Sequence, residues 1–323
     1  MPHDFAATPG GPGRLSPKEA LSHTGQATAA SVAVALVLTL TKAIVWWMSG
    51  SVALLASMAD SLLDLTASLT VYLSVRYAAE PADAEHRFGH GKAEAFAGIM
   101  QAIFVAMSAV LLLREGVEHL VNPVEIRAGG WALAVMGLSI LLTAGLLVVQ
   151  TRAVKETGSV AVEGDRAHYF SDLGANGVVI IGILGATLAG WPWLDAVAAL
   201  VVSLWLFWTA WGVAHSAGDQ LMDRELPDQA REHIATLAAG DPRIIDIHEL
   251  RTRASGPLVH IQFHMALAPE LTLSEAHAIL IDCETRLLDA YPAADIIIHA
   301  DPHGEADPHG GEFFNPEATS KDV

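Results

Sequence analysis

Residues 132–149 read ALAVMGLSILLTAGLLVV, eighteen positions with no charged side chain and only Ser139 and Thr143 carrying a polar group. A helix of that length nearly spans a hydrocarbon core, which needs about 20 apolar residues, and it offers no polar face to water. Working outward, the run extends over 130–150, and five others reach spanning length: 27–48, 51–78, 93–121, 168–189 and 194–214. Burial inside a water-soluble protein would require polar faces to cover these helices, and their neighbours in the chain are equally apolar. The expected fold class is an α-helical membrane protein with six transmembrane helices followed by a small C-terminal domain. Composition agrees, with 52% apolar and 17% charged residues in 323, against about 25% charged in ordinary soluble domains. The first run is too long and too far from the start for a signal peptide, so it is expected to persist as a span.

Six spans place both termini on one side. With the N-terminus in the cytoplasm, Arg14, Lys18, Arg76, Arg87, Lys92, Arg152, Lys155 and Arg166 fall inside and only Arg127 outside, the asymmetry of a membrane protein whose termini are cytoplasmic. Trp46, Trp47, Trp131, Trp191 and Trp193 then lie near the outer ends of spans, as an interfacial belt. The domain reading is a flexible tail over 1–24, a membrane domain over 25–217, a cytoplasmic domain over 218–302 and a second tail over 303–323. In the cytoplasmic domain the patterns predict a helix over 227–239, strands over 244–252 and 258–267, an amphipathic helix over 273–290 and a strand over 294–299. The order αββαβ suggests one mixed sheet with helices on one face.

The net charge is −18, from 18 basic and 36 acidic residues, which disfavours nucleic acid and favours cationic partners. Residues 218–323 hold 20 acids and 7 bases, so most of that charge belongs to the cytoplasmic domain. Cys283 is the single cysteine, which excludes an intramolecular disulfide and any cysteine-based zinc cluster. It reads as a small packing residue. Metal chemistry would fall to carboxylates and the 15 histidines.

Asp60 and Asp64 stand four apart in the second run, and His168 and Asp172 stand four apart at the start of the fifth. A helix puts each pair on one face. Intramembrane ionisable groups are costly and are functional-site candidates by default, and these acids are the ones that lie clearly within the spans. If the pairs converge, three carboxylates and one imidazole match a tetrahedral transition-metal site; the alternative is helix packing or a proton relay. Without its ion such a site is expected to take up protons, so metal and protons would compete for the same groups. In the loop PADAEHRFGHGKAEAFAG, Asp83, His86 and His90 can meet on a short turn, as ligands or as solvated polar residues. In the cytoplasmic domain His248, His264, His277, His299 and Asp301 concentrate further metal-type ligands. His260 reads as an exposed strand residue, and His303 and His309 as tail residues.

The stretches SMADSLLDLTAS, HRFGHGKAEA, HYFSDLGANG, LMDRELPD, HELRTRASG and IIIHADPH, in this order and with these spans between them, resemble the cation diffusion facilitator family, most closely its bacterial zinc/proton-antiporter branch. The likeness runs over 26–302. It implies a transport site at Asp60, Asp64, His168 and Asp172, a loop site at Asp83, His86 and His90, and a binuclear site at His248, His264, His277, His299 and Asp301 where zinc braces two protomers. It also implies a charged interlock of Lys92 with Asp223, a metallochaperone-like, ferredoxin-like cytoplasmic domain and a homodimer in the bacterial inner membrane. The implied activity is export of Zn2+, with Cd2+ or Fe2+ as alternatives, in exchange for protons. Two other classes compete: a membrane-anchored metal sensor, and an intramembrane zinc hydrolase, which would need an open coordination position and a general base.

Overall fold

The computed structural model describes residues 10–49, 52–121, 130–184 and 193–304; within these, only the backbone is described for 49, 52–57, 59, 60, 130–133, 179, 182–184 and 195. The apolar runs form six long helices, α1 (Pro17–Ser49), α2 (Val52–Ala78), α3 (Lys92–Val121), α4 (Gly130–Thr157), α5 (Val160–Leu184) and α6 (Leu194–Leu221). Among the described residues, α1, α3, α4 and α6 are long and apolar enough to cross a bilayer. The helices α2 and α5 carry Asp60 and Asp64, and Asp165 and Asp172.

Small residues let these helices approach closely, as van der Waals packing in lipid requires. Gly98 on α3 lies against Ala217 near the end of α6, and Gly116 lies against Ala199 near its start, so α3 and α6 run antiparallel in contact over five turns. Ala27, Ala97, Ala153 and Ala161 line a second seam where α1, α3, α4 and α5 meet. Outside the seams Leu40, Ile44, Leu63, Leu141, Leu204 and Trp208 are exposed, the apolar surface that lipid would cover.

The small domain contains α7 (Asp228–Ala238), β1 (Asp246–Ser255), β2 (Leu258–Leu267), α8 (Leu273–Ala290) and β3 (Ala294–Pro302). β2 is central, antiparallel to β1 and parallel to β3. Val259, Ile261, Phe263 and Met265 alternate along β2 toward α7 and α8, burying against Ile234, Ile279, Cys283 and Leu287. Thr272 and Glu275 form a capping box that starts α8.

Three expectations are corrected. The tail expected over 1–24 is ordered from Gly10 onward. Ser16 caps α1, its hydroxyl accepting from Glu19 N at 3.4 Å while Glu19 Oε2 accepts from Ser16 N at 3.0 Å, with Pro17 in the first turn where its missing N–H costs nothing. Ahead of it Gly13 N donates to Pro257 O at 3.0 Å, Ala293 N donates to Gly13 O at 3.3 Å, and the Arg14 guanidinium lies 4.4 Å from the centre of the Tyr291 ring. Gly13 has φ +79°, and a Cβ there would stand 2.6 Å from Val259 Cγ2, so the residue fits by having no side chain. Secondly, α5 begins at Val160 rather than near 168, after a turn at Gly158 and Ser159; two more turns, carrying Glu163, Asp165 and Arg166, therefore belong to the helix. Thirdly, His260 is only 4% exposed, its Nδ1 paired with Asp295 Oδ2 at 3.0 Å.

The two halves meet at the β1–β2 turn. A Cβ on Gly91 would sit 1.9 Å from Ser255 O, so the loop after α2 lies directly on that turn. Lys92 Nζ reaches Asp223 Oδ1 at 2.9 Å, and Arg253 reaches Asp223 Oδ2 at 3.1 Å. Partial burial opposes ionisation of Asp223, but these two cations outweigh it and hold the carboxyl below its ordinary range. Replacing Gly91 with Ala should prise the loop from the turn. Amide hydrogen exchange should then rise at 89–92 and 255–258 while α8 stays unchanged, and unaltered exchange at both segments would refute the contact.

Candidate metal centres

α2 and α5 bring Asp64, His168 and Asp172 together, with one ligand atom from each within 4.8 Å of the others. His168 Nε2 lies 3.1 Å from Asp64 Oδ1, and His168 is 5% exposed. Its other nitrogen, Nδ1, is buried without a hydrogen-bond partner, which leaves the ring able to present a lone pair. Asp60 stands one turn before Asp64 on α2; its side chain lies outside the described residues. Lys42 on α1 joins this neighbourhood, its Nζ donating to Ser61 Oγ at 2.6 Å and its charge acting on Asp172.

The loop after α2 gathers Asp83, His86 and His90, again with ligand atoms within 4.8 Å. Asp83 Oδ1 accepts from the backbone N–H of His86 at 2.6 Å and of Glu85 at 2.8 Å, and these bonds hold its carboxyl below the usual range. Oδ2 faces His90 Nε2 at 3.4 Å. His90 is buried against Tyr77, with ring centroids 4.5 Å apart. Phe88, between the two histidines, packs on His260 and beneath Arg253, so this loop is fixed by the cytoplasmic domain. Burial pushes the His260 imidazole below its ordinary value, with Asp295 opposing.

On the sheet face away from α7 and α8, Asp301 is 3% exposed and surrounded by imidazoles. His264 Nδ1 lies 2.8 Å from Asp301 Oδ2, His248 Nε2 3.3 Å from the same oxygen, and His299 Nε2 3.3 Å from Oδ1. His248 keeps a buried Nδ1 without a hydrogen-bond partner. Two imidazoles and a carboxylate at this spacing, with a spare nitrogen, suit zinc. The β1–β2 register slips between His248 and Arg251, a bulge that puts Glu249 at φ 50° and its Oε2 3.7 Å from His264 Nε2. Bulges re-aim side chains in this way. His277 is not brought to this cluster: it is exposed on α8, whose opposite face packs on the core.

Sequence reasoning missed three ionisable residues of these neighbourhoods, Lys42, Asp165 and Glu249, and a fourth buried one, Glu94, at the start of α3. Lys42 was legible as an intramembrane cation. Asp165 was hidden by placing the start of the fifth span at 168; it is fully buried, one turn before His168. Glu94, in the first turn of α3, is buried and accepts from the Ser159 hydroxyl. Glu249 enters through the bulge, which alternation alone does not reveal.

Residues 28–222 match the family described as cation efflux transmembrane domain, and residues 226–303 match the cation efflux protein cytoplasmic domain. The cation-efflux pump FieF of Klebsiella pneumoniae is 41% identical over 277 residues, 86% of this chain and 92% of its own length. The FieF pump of Shewanella oneidensis is 40% identical over 276 residues, 85% and 93% of the two chains, and that of Escherichia coli 39% identical over 277 residues, 86% and 92%. A helical bundle with acids on two of its helices, joined to a histidine-lined sheet domain and matched along both halves, belongs to the cation diffusion facilitator family of cation-efflux transporters, in the branch of the FieF pumps.

Proposed function

We propose that this chain is a secondary antiporter of the bacterial inner membrane that exports Zn2+ from the cytoplasm in exchange for protons. All six long helices span the bilayer with both termini cytoplasmic, and the working unit is a homodimer. The observation that carries this reading is the convergence of Asp64, His168 and Asp172 from two helices on one point within the bundle, with Asp60 one turn away on α2. Three carboxylates, one lysine and one divalent ion cancel in charge, so the loaded site is neutral in a low dielectric. Unloaded, the carboxylates repel one another, and protons restore the balance. A site that opens alternately to each side therefore trades metal against protons. A donor set of oxygens with one imidazole suits zinc, while Fe2+ and Cd2+ compete for the same geometry.

The loop and sheet clusters act on the cytoplasmic side as metal-sensing and bracing sites. The loop cluster has three ligands, leaving a fourth position for water or passing cargo. His277 serves the sheet cluster only from a second chain, which is how zinc there would brace two protomers. The acidic cytoplasmic surface raises the local concentration of divalent ions.

Asp64→Ala should abolish proton-driven zinc uptake into proteoliposomes and lower affinity at this site by about 100-fold or more, while the dimer persists in size-exclusion chromatography. Undiminished uptake would remove Asp64 from the site. A panel of zinc, cadmium, ferrous iron and manganese under one pH gradient should show zinc preferred. His168→Asp, which makes the donor set all oxygen, should move preference toward manganese; an unchanged rank order would show that the imidazole does not set selectivity.

A further inference from the structure

Asp165 is a carboxylate outside the four proposed transport ligands, and five helices close on it. Gln150 Nε2 of α4 donates to Oδ2 at 2.9 Å; Gln101 Nε2 of α3 and Ser68 Oγ of α2 donate to Oδ1, each at 3.3 Å. Ser31 of α1 is tied in by Gln150 Nε2 at 3.0 Å, and by Tyr169, whose hydroxyl donates to Ser31 O at 2.9 Å. Asp165, Gln150, Ser31 and Ser68 are wholly buried, and Gln101 and Tyr169 are each 1% exposed. The side chains from α1 to α4 that touch the carboxylate are all neutral; the titratable groups acting on it, His168, Tyr169 and Asp172, stand on α5 itself. A buried carboxylate held by neutral donors alone is a costly arrangement in a membrane bundle, and its natural partner is a cation.

A second observation points the same way. Gln101 Oε1 and Gln150 Oε1 are buried and have no hydrogen-bond partner. Each belongs to an amide whose nitrogen already touches Asp165, so turning either amide over presents a carbonyl oxygen to the carboxylate without changing shape. The cage can therefore exist as donors around a bare carboxylate or as acceptors around a cation. Its atoms are all oxygens in the second state, which suits hard ions and not zinc. One negative charge is neutralised by a monovalent ion, whereas a divalent ion would leave a buried positive charge.

We propose that Asp165, Gln101 and Gln150 form a monovalent-cation station, for a proton or a sodium ion, one helical turn from the metal site on α5. The station lies toward the α5 start at Val160, the end of the bundle near Ala217, from which α6 leads into the cytoplasmic domain. For a proton, one O–H bond forms on the Asp165 carboxylate on binding and the same bond breaks on release; a sodium ion enters and leaves unchanged. Filling the station reverses the amides that tie α5 to α3 and α4, so its occupancy acts on the helix that carries His168 and Asp172. In this role it rests on the antiport reading, as the place where the returning ion pauses.

The deciding experiment is infrared difference spectroscopy on full-length dimer carrying Asp60→Asn, Asp64→Asn and Asp172→Asn, which silences the metal site and leaves Asp165. Acidification, and separately replacement of potassium by sodium, should show that one of the two ions shifts a carboxyl band. That band should vanish when Asp165→Asn is added. Absence of any Asp165-dependent band with both ions overturns the station. In an otherwise intact chain, Asp165→Asn should lose about tenfold of the stimulation of zinc flux by a pH or sodium gradient, whichever drives the parent; full stimulation also overturns the proposal. If the parent responds to neither gradient, the antiport reading fails, and the infrared band still decides the station by itself.

Discussion

A carboxylate taken out of water must find a positive partner, and the membrane half of this protein is arranged around that requirement. Asp64 on α2 meets His168 and Asp172 on α5 inside the bundle. On the antiport reading proposed above, the cost of placing these groups between helices is relieved by an ion that comes and goes. On the same reading, Lys42, bonded to Ser61 one turn of α2 from Asp64, offsets the charge that a divalent ion would leave uncompensated among three carboxylates.

The cytoplasmic domain solves a milder form of the problem. Asp301 is more buried than Asp64 or Asp172, and it is surrounded by His248, His264 and His299. The β1–β2 turn of this domain touches the chain at two places that lead into membrane helices. Ser255 lies on Gly91, which leads into α3, and Pro257 is bonded to Gly13, whose neighbour Pro12 packs on Gly158 just before α5. One turn is therefore linked to the starts of both α3 and α5, a route by which the position of the cytoplasmic domain can bear on the helix that carries His168 and Asp172.

Much of this was legible in the residues. Apolar runs gave six helices, alternation along 258–265 separated a core face from a histidine face, and i,i+4 spacing put His168 and Asp172 on one side of α5. What escaped has physical causes. Gly10 to Ser16 looked like a tail because it has no apolar run, yet its glycines allow backbone contacts and S-P-K-E is a helix start. Asp165 escaped notice because hydropathy alone starts the fifth run at 168, whereas α5 begins at Val160. His260 looked exposed because alternation put it on the polar face; Phe88 from another element covers it. Glu249 depends on a bulge, which no periodic pattern reports.

The central claim is that metal and protons compete for the carboxylates shared by α2 and α5. Zinc added to purified, detergent-solubilised dimer in weakly buffered solution should release protons as it binds. Asp64→Asn together with Asp172→Asn should remove the part of that release that belongs to this site, while leaving the part that belongs to the histidine clusters. Zinc binding to the intact site with no difference in proton release between the parent and this double variant would contradict the account.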